Sequence, residues 1–167
     1  MFQKILVPLD GSKLAECALP YAEEIARGCN TNCVVLISVT ERLSGQTSSP
    51  EIQAAYRSTD RTDLSGAGSE VKVTFGKKEK QAQRYLGKLV KSFEARGIAA
   101  QAEVLIGNPA EEIATFAEDN GADLIVISSH GRSGPSRWTH GSVAEKIFRA
   151  SCVPILMVRA PSCVPGI

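Results

Sequence analysis

The sequence has no apolar run longer than about five residues; Cys33 to Ile37, Leu124 to Ile127 and Ile155 to Val158 are the longest. A spanning helix needs about 20, so membrane insertion is not expected. Charge of either sign is not in excess. Lys and Arg number 19 against 18 Asp and Glu, a formal net charge of +1. That balance argues against a dedicated nucleic-acid binder, whose basic residues gather on one face, and gives no general attraction to a membrane surface. There is no C-x-x-C pair: Cys17, Cys29, Cys33, Cys152 and Cys163 are scattered, and His130 and His140 are not spaced as zinc ligands beside them. Reduced thiols are the expectation. The opening MFQKILVPLD has one Lys and then five uncharged residues before Asp10, too short for a signal-peptide core. A soluble, cytoplasmic chain is expected.

The standard catalytic and nucleotide fingerprints are also missing. No G-x-x-x-x-G-K-[ST] occurs, and no G-x-G-x-x-G follows the first apolar run. No G-x-S-x-G elbow supports Ser-His-Asp hydrolysis. Asp10 stands without the clustered carboxylates of a phospho-receiver site, and the H-x-G-H and S-G-G-x-D-S signatures of adenylyl-transferring enzymes are absent.

What the chain does contain is alternation. Its 167 residues suit one domain able to bury roughly 70% of its unfolded surface without staples. Lys4 to Leu9, Cys33 to Val39, Asp123 to Ser128 and Pro154 to Val158 are short, nearly continuous apolar runs, as in parallel strands covered on both faces. Ala99 to Ile106 alternates, as an outer strand would. Between them lie amphipathic stretches. Lys13 to Arg27 aligns Leu14, Ala18, Tyr21, Ala22 and Ile25, with a bend expected at Pro20. Lys80 to Arg96 aligns Leu86, Leu89, Val90 and Phe93, stopped by Gly97; Pro109 to Asn120 carries Ile113, Phe116 and Ala117, stopped by Gly121; Val143 to Ala150 carries Ala144, Ile147 and Phe148. The pattern predicts a single α/β domain over residues 1–160: an open five-stranded parallel sheet, order 3-2-1-4-5, with helices on both faces. Residues 43–79 break it as a polar insert, read as a solvated loop, with a short helix near Glu51 to Ser58 or a strand at Val71 to Phe75 as alternatives. Residues 161–167 are expected to be a flexible tail.

In such sheets ligands bind beyond the carboxyl ends of the strands, where the strand order reverses. Three strand ends run directly into helix starts. At Pro8-Leu9-Asp10-Gly11-Ser12, Asp10 and Ser12 either satisfy first-turn amides or hold a ribose hydroxyl or metal-bound phosphate; one carboxylate does not decide between these. At Gly107-Asn108-Pro109-Ala110-Glu111, Asn108 as N-cap, Pro109 at the first helical position and Glu111 closing a capping box account for every residue. The third, Ser128 to Ser142, holds Gly131, Gly134 and Gly141, several hydroxyls, Arg132 and Arg137. Glycines allow close backbone approach, and the following helix start offers free N–H groups and about +0.5 of charge. Ser142 with Glu145 is also a capping box.

KILVPLDGS, GNPAEEI, ADLIVISSHGRSG and HGSVAEKIFRASCVPILMVR, in this order and spacing, resemble the universal stress protein family over nearly all of residues 1–160 outside the insert. The resemblance implies a Rossmann-like fold of the adenine nucleotide alpha hydrolase type. The family's ATP-binding branch has a loop G-x-x-G, nine residues, then G-[ST]. Gly131, Gly141 and Ser142 match it, whereas the first glycine position falls on Ser128, a departure. By resemblance, adenine would lie near Pro8, Leu9 and Val39, with Ile127 lining the base or ribose side. Asp10 would meet ribose or Mg2+-bound phosphates. Amides of Gly131, Gly141, Ser142 and Val143 would cradle the phosphates, and Arg132 would help neutralise them.

The family also implies homodimers paired through the last strand, here Val153 to Arg159. That strand would form a sheet edge whose apolar surface calls for cover, by a second copy or alternatively by the C-terminal tail. The implied function is an ATP-binding, dimeric stress-response regulator with at most slow ATP hydrolysis or autophosphorylation. The alternative is a nucleotide-free dimeric interaction protein of the same family, for which Ser128 is the argument.

Overall fold

The computed structural model describes residues 2–40, 76–129 and 143–159. Among the described residues the alternation becomes ten elements: β1 (Lys4–Pro8), a 3-10 turn (Ala15–Ala18), α1 (Leu19–Cys29), β2 (Cys33–Thr40), α2 (Lys77–Glu94), β3 (Ala100–Ile106), α3 (Pro109–Asp119), β4 (Leu124–Ser128), α4 (Val143–Ala150) and β5 (Ile155–Val158). The strands form one parallel sheet in the order β3-β2-β1-β4-β5, as expected, with helices on both faces.

Period-two alternation sends neighbouring strand residues into different cores. Ile5, Val7, Val34, Leu36, Leu124 and Val126 face Ala18, Ala22 and Ala26 of the first helical segment and Leu86 and Phe93 of α2. Leu6, Val35, Ile37, Ile125 and Ile127 face Ala110, Ile113 and Ala117 of α3 and Ala144 and Ile147 of α4. Because β1, β2 and β4 are covered on both faces, they read as unbroken apolar runs. The outer strand β3 keeps Gln101 exposed and Glu103 half-buried. Burial pushes the Glu103 carboxyl above its ordinary range.

Several local expectations are corrected. Lys13 to Arg27 is not one bent helix: a 3-10 turn comes first, and α1 begins at Leu19 with Pro20 in its first turn. There the missing N–H costs nothing, because first-turn amides have no intrahelical acceptor. Tyr21 and Phe148, placed on buried faces by their spacing, are 53% and 65% exposed; Ala22 and Ile147 occupy those core positions instead. Helix α2 starts at Lys77, so the last residues assigned to the polar insert are helical. The N-cap there is Gly76, and the Glu79 side chain folds back over it. The readings of Glu51 to Ser58, Val71 to Phe75 and residues 161–167 lie outside the described residues. Among the described residues, no helix is long and apolar enough to cross a membrane.

Candidate functional site

Strand order reverses between β1 and β4, whose forward crossovers leave on different sides of the sheet. The carboxyl ends of these two strands, flanked by β2 and β5, form the rim of the candidate site. Leu9 extends the β1–β2 pairing past Pro8, its N–H donating to the Ile37 carbonyl at 2.7 Å. Across the rim, the Ser129 N–H donates to the Val158 carbonyl at 2.8 Å. Asp10 follows directly, and its Oδ1 accepts the Ser12 N–H at 2.8 Å. Gly11 between them has φ +79, a left-handed turn that a side chain would oppose. Ser12 Oγ then accepts the Ala15 N–H at 3.1 Å, so it caps the 3-10 turn rather than a helix starting at Lys13. The capping role foreseen for these two residues is therefore present: Asp10 accepts from Ser12 and Ser12 from Ala15.

The expected site residues divide by face. Val39 packs against the same core as buried Ile127, on the α3–α4 side. Leu9 turns its side chain the other way, into the core with Ala15 and Ala18, where it is 4% exposed. Only its main chain is therefore at the rim. Pro8 is buried, Asp10 is half-buried, and Val143 opens α4 partly exposed. Ser128 is 6% exposed: at the position where the loop pattern has glycine, a hydroxymethyl group is enclosed by protein. Gly131, Arg132, Gly141 and Ser142, with Arg137, lie outside the described residues.

At the neighbouring strand end, the Gly107 N–H donates to the Thr40 carbonyl at 3.1 Å. Asn108 caps α3 as expected, its Oδ1 accepting the Ala110 N–H at 3.1 Å. The expected partner Glu111 is exposed, and the carboxylate of Glu112 lies over Gly107 instead.

Two features of the rim and its foundation were not foreseen. Thr40 Oγ1 donates to the Leu105 carbonyl at 3.3 Å and stands 3.5 Å from Glu79 Oε1, tying the tip of β2 to β3 and to the start of α2. At the opposite end of the strands, Asp123 was read as the first residue of β4, but its Oδ2 accepts the N–H groups of Lys4 at 2.9 Å and Gln3 at 2.8 Å. These bonds, Lys4 first, hold its carboxyl below the ordinary carboxylate range. The only sequence signal for this clamp is an Asp immediately before an apolar run.

Among the described residues no cluster of three or more His, Cys, Asp or Glu can hold a metal ion. Mg2+ needs only one or two carboxylates when phosphates supply its remaining oxygens. The half-buried carboxylate of Asp10 fits that lesser demand.

The family model for universal stress proteins matches residues 1–159. Universal stress protein MJ0531 of Methanocaldococcus jannaschii is 32% identical over 161 residues, spanning 96% of this chain and 84% of the relative. The solved structure of protein MJ0577 from the same archaeon superposes with a TM-score of 0.70 at 28% identity, covering 95% of this chain and 96% of that one. A universal stress protein from Arabidopsis thaliana, solved with AMP bound, shares the fold with a TM-score of 0.61 at 15% identity, covering 98% and 96% of the two chains. With the strand order, the paired cores and the whole-length match in agreement, this chain belongs to the universal stress protein family.

Proposed function

We propose that this protein is an adenine-nucleotide-binding regulator of the stress response, taking ATP with Mg2+ at the carboxyl ends of β1, β2 and β4. The observation that carries the reading is the position of Asp10. Its half-buried carboxylate stands on a tight turn at the strand reversal, with Val39 and Ile127 sharing one face of the neighbouring strand ends. That combination offers an apolar wall for a base and an anionic group for ribose hydroxyls or bound Mg2+. The glycine pattern Gly131, Gly141, Ser142 leading into Val143 supplies main-chain amides for phosphates. When bound, Mg2+ would neutralise phosphate charge; Asp10 would hold and orient it. AMP on the Arabidopsis relative supports adenine as the base.

The protein works in this reading as a cytoplasmic homodimer paired through β5. Support comes from β5 lying at the sheet edge with Met157 45% exposed, an apolar edge strand of the kind that a second copy covers.

Titration calorimetry with Mg·ATP and with AMP tests the nucleotide site. The expected result is micromolar binding, lost in Gly141→Val, whose side chain obstructs the phosphate path. No heat with either nucleotide, and none bound to the purified protein, overturns the reading in favour of a nucleotide-free interaction protein. Sedimentation tests the pairing: a dimer that Met157→Lys converts to monomer is expected, and a monomeric native protein refutes it.

A further inference from the structure

Helix α2 carries six cations against two carboxylates, Glu79 and Glu94. Five of the cations, Lys77, Lys80, Arg84, Lys88 and Lys91, recur at helical spacing and are all exposed. At about 100° per residue they fall within about 80° of the helix circumference, along about 21 Å of its axis. This stripe lies opposite Leu86 and Phe93, which anchor α2 in the core. Among the described residues, none of the five pairs with a carboxylate.

Helix α3 is the reverse. Glu111, Glu112, Glu118 and Asp119 are its charged residues, with no Lys or Arg among its 11 positions. They occupy about 120° of its circumference, away from Ala110, Ile113 and Ala117 in the core. The two helices cover opposite faces of the sheet. A nearly neutral chain thus presents a basic outer layer on one side and an acidic one on the other.

Glu111 and Glu112 suit the start of α3, and Lys91 the end of α2, but other members of each pattern oppose their helix dipole. Lys77 and Lys78 open α2, where the helix dipole favours anions, and Glu118 and Asp119 end α3, where it favours cations. Each such placement costs about 0.3–1 kcal/mol at low ionic strength. A partner bearing the opposite charge gives them a use.

We propose that the α2 face of one copy docks on the α3 face of a second copy, giving a head-to-tail, salt-sensitive self-association. Because the two faces lie on opposite sides of the sheet, each copy can use both at once, and the contact is heterologous and open-ended. A linear polyanion is the lesser fit: the stripe includes no aromatic side chain for stacking bases, and a polyanion would leave the acidic α3 face without a counterpart, whereas a second copy uses both faces. Exposed ion pairs are individually weak, so the association depends on ionic strength. It is separable from apolar strand pairing at β5, which salt does not screen.

Sedimentation velocity across protein concentration tests this. In about 20 mM NaCl the weight-average mass should rise with concentration beyond the β5-dependent species. In 0.5 M NaCl, where the screening length is well below 10 Å, the rise should disappear. Lys80→Glu/Arg84→Glu/Lys88→Glu should abolish it, and so should Glu111→Lys/Asp119→Lys. An equimolar mixture of the two variants should restore it, since each reversed face then meets its complement. Lys80→Gln/Arg84→Gln/Lys88→Gln serves as a milder change, with partial weakening expected; circular dichroism checks that each variant is folded. Association indifferent to salt, absent from the native protein, or unaffected by the α3 reversal overturns the proposal. So does tight binding of inorganic polyphosphate by a native protein that does not self-associate.

Discussion

Asp123 and Lys4 lie 119 positions apart in the chain, yet the Asp123 carboxylate accepts the Lys4 N–H at 2.9 Å, while the Lys4 carbonyl accepts the Asp123 N–H at 2.9 Å. This reciprocal pair starts the β1–β4 ladder, on which the strand reversal depends. Asp123→Asn removes the charge from the oxygen, Oδ2, that accepts both amides. A loss of about 1.5 kcal/mol is expected, near the low end for charged hydrogen bonds because solvent reaches the carboxylate. The lowered carboxyl pKa sets the pH dependence. The contact's full contribution is present above the ordinary value of 3.8 and is lost as pH falls through the lower folded value. Urea denaturation should therefore show native protein and variant differing at pH 7 and converging below pH about 3.8.

Glu103 runs in the opposite direction. It pairs in register with Ile37 on β2, and burial raises its pKa. Its ionised form is disfavoured by folding, so the penalty is absent below the ordinary value of 4.5 and complete above the raised one. Glu103→Gln should stabilise the protein at pH 7 and have no stabilising effect at pH 4. An unchanged urea midpoint at pH 7 would count against this account.

Glu23, 8% exposed on α1, holds two arginines: Arg27 one turn on at 2.8 Å, and Arg96 just beyond α2. Arg96 also donates to Ser92 Oγ at 2.6 Å and lies 6.0 Å from the centroid of the buried Phe93 ring. The arginines are about half exposed, so removing Glu23 leaves them hydrated rather than stranded. Glu23→Ala should cost about 1–2 kcal/mol, between exposed and fully buried pairs. A double-mutant cycle with Arg96→Ala should return a coupling of about 1 kcal/mol; additivity within about 0.3 kcal/mol would make the pair energetically idle.

Where a position's role depends on one strand or helix, the sequence is informative. The apolar runs of β1, β2 and β4 reveal two-sided burial and the alternation in β3 an edge, but the similar run Pro154 to Val158, expected to be covered on both faces, is an edge strand with Met157 45% exposed. Roles that depend on three-dimensional neighbours are not legible. The Asp123 clamp requires knowing that β1 and β4 touch. Tyr21 and Phe148 satisfy helical spacing, yet their neighbours Ala22 and Ile147 already fill the available core. Leu9 is correctly placed at the strand end, but its side chain faces α1 because pleating turns successive residues to opposite faces. At Asp10 the residues alone allowed a cap or a ligand group; the Ser12 bond makes it a cap and leaves its charge at the rim.

The capping of Ser12 and the proposed nucleotide contact of Asp10 can be separated by mutation. Asn keeps an Oδ1 acceptor for the Ser12 N–H, so Asp10→Asn should lower the thermal midpoint less than Asp10→Ala does, while removing the anionic group. Loss of one charged hydrogen bond or metal contact is worth at least about 1.4 kcal/mol, so Mg·ATP binding should weaken about tenfold or more. Asp10→Ala removes the acceptor too and should lower the midpoint as well as the affinity. Calorimetry beside thermal denaturation reads both quantities. If Asn and Ala lower stability equally and neither changes nucleotide affinity, the carboxylate is structural and the nucleotide contact assigned to it is wrong.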